Sequence, residues 1–282
     1  MNPGDFLLSA GILGGVGLGF ALLIALAHRR FYVWEDPRLE AVSQMLPGNN
    51  CGACGFPGCR GFAEELVTGK TSPATCTVMS ADQREEVAEL MGVEVGTAAL
   101  RVARLLCAGG RDEAVRRAEY VGLQTCAAAA AVSAGGRGCT WGCLGLGDCA
   151  RVCIFDAIWM SDNGLPVVEP ELCTACGDCV EACPKDLFIL MPAEQNLLVQ
   201  CRNLLDGEPA TDVCRVACNT CRRCEADAPG LITIRDGLAV IDYDRYDLAS
   251  PAAAARCPTG AIVWLEGRQF PEASIQLEKA AS

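Results

Sequence analysis

The sequence predicts an α+β chain in which a membrane-spanning helix precedes a small four-cysteine domain and then βαββαβ modules. Three observations predict it. Residues 6–27 form an uncharged apolar run. The 20 cysteines of the 282-residue chain recur in tightly spaced groups. Twice, a cysteine group, a hairpin signal and a second cysteine group or its remnant follow one another.

The apolar run is long enough for the roughly 20 residues that cross a bilayer as a helix. A cleaved signal peptide is the competing reading, with Ala25-Leu26-Ala27 as its cleavage site. That reading wants basic residues before the run, whereas Asp5 precedes it and His28-Arg29-Arg30 follow. The same basic cluster, with Arg38 beyond it, puts the C-terminal side in the cytoplasm. A single-pass protein of the cytoplasmic (inner) membrane is therefore expected, its soluble domains facing the cytoplasm. Within the span Gly11, Gly15 and Gly19 share one face, where another membrane helix could approach. The formal charge of −12 argues against a nucleic-acid partner.

A reducing compartment makes a disulfide scaffold the weaker account of so many cysteines, and their C-x2-C spacing suits metal. Cys51, Cys54 and Cys59 lie in a Gly-rich loop, and Cys76 follows a helix expected over 60–68. Four thiolates complete one [4Fe–4S] cluster; a structural zinc on the same ligands is the alternative. Ser80 with Gln83 reads as a capping box that opens a helix to about Met91. Residues 93–138 read as an α/β connector, with a strand over 103–106 and a helix over 111–118. Cys107 and Cys126 fall inside it and are expected as buried thiols, with a ligand role as the alternative.

The most specific signal is Cys173-x2-Cys176-x2-Cys179-x3-Cys183-Pro184, preceded by Cys139, Cys143, Cys149 and Cys153. In two-cluster ferredoxins the fourth cysteine of each group ligates the other cluster. The rule joins Cys153 to Cys173, Cys176 and Cys179. Because Leu146 stands where a middle cysteine would, the other set becomes Cys139, Cys143, Cys149 and Cys183. Residues 157–161 and 165–168 flank Asp162-Asn163-Gly164 as a hairpin, and a strand over 187–191 follows.

The last module repeats the plan with Cys214, Cys218, Cys221 and Cys224, a hairpin turning at Asp236-Gly237, Cys257-Pro258 and a strand over 261–265. Its fourth position is Ala228, and residues 242–247 replace three more cysteines. These absences form the ligand set of one cluster under the crossed rule, so Cys218, Cys221, Cys224 and Cys257 should hold the other. Sixteen cysteines are then ligands of four clusters, and Cys107, Cys126, Cys201 and Cys214 are left over. A fifth cluster would need those four to meet in space.

The expected organisation is a transmembrane anchor (1–30), a [4Fe–4S] domain (31–92), the α/β connector (93–138), a two-cluster ferredoxin-like module (139–200), a degenerate one-cluster ferredoxin-like module (201–270) and a tail (271–282).

The segments EDPR, LPGNNCGACGFPGCRGFAEE, GCTWGCLGLGDCARVCIFDAI and CTACGDCVEACP resemble the B subunit of the Rnf complex over nearly the whole chain. That family couples electron transfer between reduced ferredoxin and NAD to ion movement across the membrane. The resemblance implies an electron-relay subunit of a translocating ferredoxin:NAD oxidoreductase, working between soluble ferredoxin and other membrane and peripheral subunits. The stripped third module departs from fuller members, and shorter relatives that reduce a redox-sensing regulator leave the end acceptor open. A metal-stabilised scaffold or redox-sensing iron–sulfur protein is the alternative of another class.

No acid–base or dinucleotide site is read from the residues: the single histidine is His28, at the membrane edge, and no Gly-rich fingerprint follows a strand. Arg101, Arg104, Arg111, Arg116 and Arg117 are candidates for a basic ferredoxin-docking patch; ordinary surface arginines are the bland reading.

Overall fold

A computed structural model describes residues 3–31, 36–97 and 100–271. The expected tail lies almost wholly outside the described residues.

Helix α1 (Pro3–Phe31) carries the apolar run and ends on His28, Arg29 and Arg30. It contains the one stretch among the described residues, Ala10–Phe31, that is long and apolar enough to cross a membrane. Its described apolar side chains, Leu13 and Leu18 among them, lie exposed.

The small domain packs α2 (Pro37–Met45), α3 (Gly58–Val67) and α4 (Ala81–Met91) around Leu39, Val42, Phe62, Leu66 and Val87. Sequence reading missed α2. Its start is nonetheless well specified, since Asp36 caps the Arg38 amide at 2.9 Å and Pro37 occupies the first turn. Helix α4 opens on the expected capping box, Ser80 and Gln83 each accepting the other's backbone amide.

Strand β1 (Arg101–Leu105), α5 (Cys126–Ala130), α6 (Asp148–Arg151), β2 (Ile158–Met160), β3 (Pro166–Val168), α7 (Asp178–Glu181) and β4 (Phe188–Pro192) make the next unit. The outer strands β1 and β4 pair antiparallel, with Ala103 opposite Leu190, and β2 and β3 form the hairpin. The plan recurs in β5 (Leu197–Val199), α8 (Gly207–Val213), α9 (Arg223–Asp227), β6 (Ile232–Arg235), β7 (Leu238–Ile241), α10 (Ala252–Ala255) and β8 (Ile262–Trp264). Here β5 pairs with β8, and β6 with β7.

These pairings run across the expected boundaries at 138/139 and 200/201. Strand β1 lies in the connector range yet closes the sheet of the unit that follows, and β5 does the same for the last unit.

The helix expected over 111–118 is absent. Residues 111–113 form a turn, the Ala114 amide donating to the Gly110 carbonyl at 3.1 Å, and the chain then runs extended, Ala114 bridging Cys214 and Arg116 bridging Arg137. Val115 donates to the Val213 carbonyl at 3.0 Å and accepts from Gly138 at 2.7 Å. Backbone partners on both sides satisfy its polar groups, so the helical pattern of its side chains loses to tertiary pairing.

Candidate metal centres

Four cavities each gather four cysteines. The first is lined by Cys51, Cys54, Cys59 and Cys76 beside Phe62. Its loop is held by Asn50, whose Oδ1 accepts the Cys59 amide at 2.8 Å while Nδ2 donates to the Gly48 carbonyl. Gly58 has φ +81°, and a Cβ there would stand 2.8 Å from Asn50 Oδ1. Glycine is thus required both by conformation and by the close approach of the capping side chain.

The second cavity is lined by Cys153, Cys173, Cys176 and Cys179, with Ala103, Ile158 and Leu190 as apolar wall. Three of its sulfurs come from one loop that runs into α7, and Cys153 comes from just past α6. The Ala103 amide of β1 points at Cys173 Sγ, 3.5 Å away.

The third cavity differs from the sequence expectation. Cys143, Cys149 and Cys183 line it, but the fourth cysteine is Cys126 and not Cys139. Cys126 opens α5, where Thr125 caps the Ala128 amide at 3.2 Å. The Ala127 amide donates to Asp148 Oδ2 at 3.1 Å, fastening this helix beside α6 and Cys149. Cys139 instead takes amides from Trp141 and Gly142 within its own loop. The one sequence signal for Cys126 was the helix cap in front of it, because its distance from the other three obeys no ferredoxin spacing.

The fourth cavity, lined by Cys218, Cys221, Cys224 and Cys257, sits against Val199 and Ile262 in the last unit. Cys107, Cys139, Cys201 and Cys214 line none of the four.

The surroundings fit a bound inorganic core. Burial pushes Cys143 far up, Cys149 and Cys179 to about 12 and Cys224 to about 11. Such thiols become thiolates at neutral pH only when a cation core takes up their charge. Among the described residues no group of three or more His, Cys, Asp or Glu side chains is arranged to hold a single metal ion. Amides aimed at sulfur, such as Leu187 onto Cys183 Sγ at 3.4 Å, are the contacts that stabilise cluster thiolates.

The candidate basic patch is only partly at the surface. Arg101, Arg111, Arg116 and Arg117 are exposed, whereas Arg104 is 2% exposed and donates to the Gly267 carbonyl at 2.7 Å. Arg104 is therefore not available to a docking partner.

Two family models match the chain. Residues 46–78, which hold all four cysteines of the first cavity, match "Putative Fe-S cluster", and residues 166–188 match "4Fe-4S binding domain". The chain is similar to the B subunit of the Na(+)-translocating ferredoxin:NAD(+) oxidoreductase complex of Acetobacterium woodii, 45% identical over 85% of this chain and 72% of that relative. It is similar to the B subunit of the ion-translocating oxidoreductase complex of Methanosarcina acetivorans, at 34% over 90% of this chain and 96% of the relative. The B subunit of the proton-translocating ferredoxin:NAD(+) oxidoreductase complex of Clostridium ljungdahlii is 37% identical over 88% of each chain.

Proposed function

This chain belongs to the B-subunit family of Rnf-type, ion-translocating ferredoxin:NAD oxidoreductase complexes, and from that premise we propose how it carries electrons. It is an iron–sulfur electron-transfer subunit of such a complex. In our reading it holds at least four [4Fe–4S] clusters, on Cys51/Cys54/Cys59/Cys76, Cys153/Cys173/Cys176/Cys179, Cys126/Cys143/Cys149/Cys183 and Cys218/Cys221/Cys224/Cys257. The observation that carries this is the grouping of sixteen cysteines, four to a cavity, in apolar surroundings.

The two βαββαβ units are ferredoxin-like, a reading supported by their outer-strand pairs, inner hairpins and crossed cysteine sharing. Clusters supply one-electron chemistry when bound, and the chain's part is ligation, burial and amide hydrogen bonds to sulfur. Soluble ferredoxin is the electron donor or acceptor on one side and the membrane subunits on the other. NAD chemistry belongs to another subunit. The α1 helix crosses the cytoplasmic membrane once, with the soluble units on the cytoplasmic side, a placement favoured by His28, Arg29 and Arg30.

Anaerobic analysis of the full chain in detergent tests this: at least about 16 iron atoms with equal sulfide per chain are expected. Reduced ferredoxin should bleach the visible absorption. Zinc without sulfide would end the cluster reading, and cluster-loaded protein that ferredoxin cannot reduce would end the proposed partner.

A further inference from the structure

The four cysteines outside the described cavities are all buried, with Cys107, Cys139, Cys201 and Cys214 between 6% and 8% exposed. They are not scattered. The Ala108 amide donates to the Gln200 carbonyl at 3.0 Å, which sets Cys107 beside Cys201. The extended segment at 114–117 bridges Cys214 on one edge and holds Gly138, next to Cys139, on the other. A Cβ placed on Gly109 would lie 2.8 Å from Cys214 Sγ and 3.8 Å from Cys107 Sγ, so both sulfurs lie around one point. The electrostatic contacts agree: Cys214 is acted on by Cys107 and Cys139, and Cys201 by Cys107.

The arrangement also repeats between units. Cys107 lies two residues past the end of β1, and Cys201 two past the end of β5. The Cys143 amide donates to Cys107 Sγ at 3.4 Å, and the Cys218 amide donates to Cys201 Sγ at 3.4 Å. Cys139 and Cys214 each stand four residues before those amides. Each unit therefore contributes one pair of sulfurs, placed by equivalent backbone, to the seam where the units meet. Backbone amides reach all four: Gly109 also points at Cys107, Asn203 at Cys201, Trp141 and Gly142 at Cys139, and Val216 at Cys214. Cysteines that merely pack as small hydrophobes need no such donors, whereas cluster thiolates are stabilised by them.

We propose that Cys107, Cys139, Cys201 and Cys214 hold a fifth [4Fe–4S] cluster, shared between the two ferredoxin-like units at their seam. This rests on the iron–sulfur reading above, and the test separates the two.

The full chain, purified or reconstituted anaerobically in detergent, is analysed for iron, sulfide and zinc. The proposal expects about 20 iron atoms per chain, falling to about 16 in Cys201→Ser and no further in the double variant Cys201→Ser/Cys214→Ser. About 16 iron atoms in the unaltered chain, with no zinc and no disulfide, would overturn the fifth site and leave the other four standing. About 16 iron atoms with one zinc, or with a disulfide among these four cysteines, would overturn it equally. No iron or sulfide at all would overturn the reading on which it rests. Should the serine variants fail to fold, Gly109→Val gives the second measurement, since it intrudes on two of the sulfurs while leaving every cysteine in place. Retention of about 20 iron atoms there would count against the site.

Discussion

The hydroxyl of Thr77 donates to the backbone carbonyl of Thr174. Each residue directly follows a candidate ligand, Cys76 in the first cavity and Cys173 in the second, so this bond joins the edges of two cysteine loops. The chain runs from the small domain toward the β1–β4 unit through the largely exposed residues 92–97. Thr77→Val should therefore loosen the docking by about 1 kcal/mol, the worth of one hydrogen bond. Cleavage by a non-specific protease within that connector, under native conditions, should accelerate about fivefold, because it follows the population of the undocked state. An unchanged rate would mean that the bond does not hold the two centres together.

Cys126 and Cys149 line the same cavity from different helices. Serine at either should remove the same cluster, about four iron atoms per chain, and combining the two should remove no more. A double variant that lost about eight would separate the two residues into different centres.

That pair also marks where the sequence was legible. Ligands within one loop, such as Cys173, Cys176 and Cys179, are spaced by local backbone geometry, so their grouping can be read directly. The turns at Gly164 and Gly237, with φ of +73° and +78°, carry their conformational demand in the residue itself. Cys126 carries none, because its place is set by a cap at Thr125 and by a tie from Ala127 to Asp148 that reaches 21 residues along the chain into the motif. The segment at 111–118 misled for the same reason: its side-chain pattern suits a helix, but its neighbours at 137 and 214 decide. Strand β5 is only three residues long, and its pairing with β8 is visible only once the unit has closed.

Ala175 and Thr220 occupy the same position in the two cysteine loops, and both have φ +55°. The left-handed region costs a non-glycine residue about 1–2 kcal/mol, and a β-branched side chain fits it poorly. Glycine returns part of that gain as chain entropy. Thr220→Gly should stabilise the last unit by about 0.5–1 kcal/mol, raising its thermal midpoint by about 2 °C. A lower midpoint would show that the hydroxyl bond from Thr220 to the Asn219 carbonyl outweighs the strain.

Glu169 joins β2 to the end of the described chain. Its carboxylate accepts Trp159 Nε1 at 3.1 Å and Arg268 Nη1 at 2.7 Å, and the Arg268 guanidinium lies 5.8 Å from the Trp159 ring centre. Burial raises the carboxyl pKa, but the bonds from Arg268 and Trp159 outweigh it and hold it below the ordinary 4.5. A depressed carboxyl stabilises fully above its unfolded value, and the contribution fades as pH falls through the folded one. Glu169→Gln should thus cost about 1 kcal/mol at pH 7. In urea titrations the gap to the unaltered chain should stay constant down to about pH 5 and close below about pH 4. A gap that persisted in acid would assign the loss to packing.

Arg104 is the charged side chain buried most deeply next to a candidate centre. It is 2% exposed, its Nε has no hydrogen-bond partner, and Cys173 and Glu171 are the negative groups acting on it. Burial lowers its pKa, yet a guanidinium stays charged at every working pH, so a buried cation lies close enough to feel Cys173 of the second cavity. A fixed positive charge favours the more negative, reduced form of a centre and so raises its potential. At an effective dielectric constant near 20 and a separation on the order of 10 Å, the interaction is about 1.7 kcal/mol, or on the order of 70 mV for one electron. Arg104→Met keeps the volume and removes the charge. EPR-monitored redox titration should then show one signal shifted downward by tens of millivolts while the others hold. A shift shared by all signals, or none at all, would show that the charge of Arg104 is balanced elsewhere.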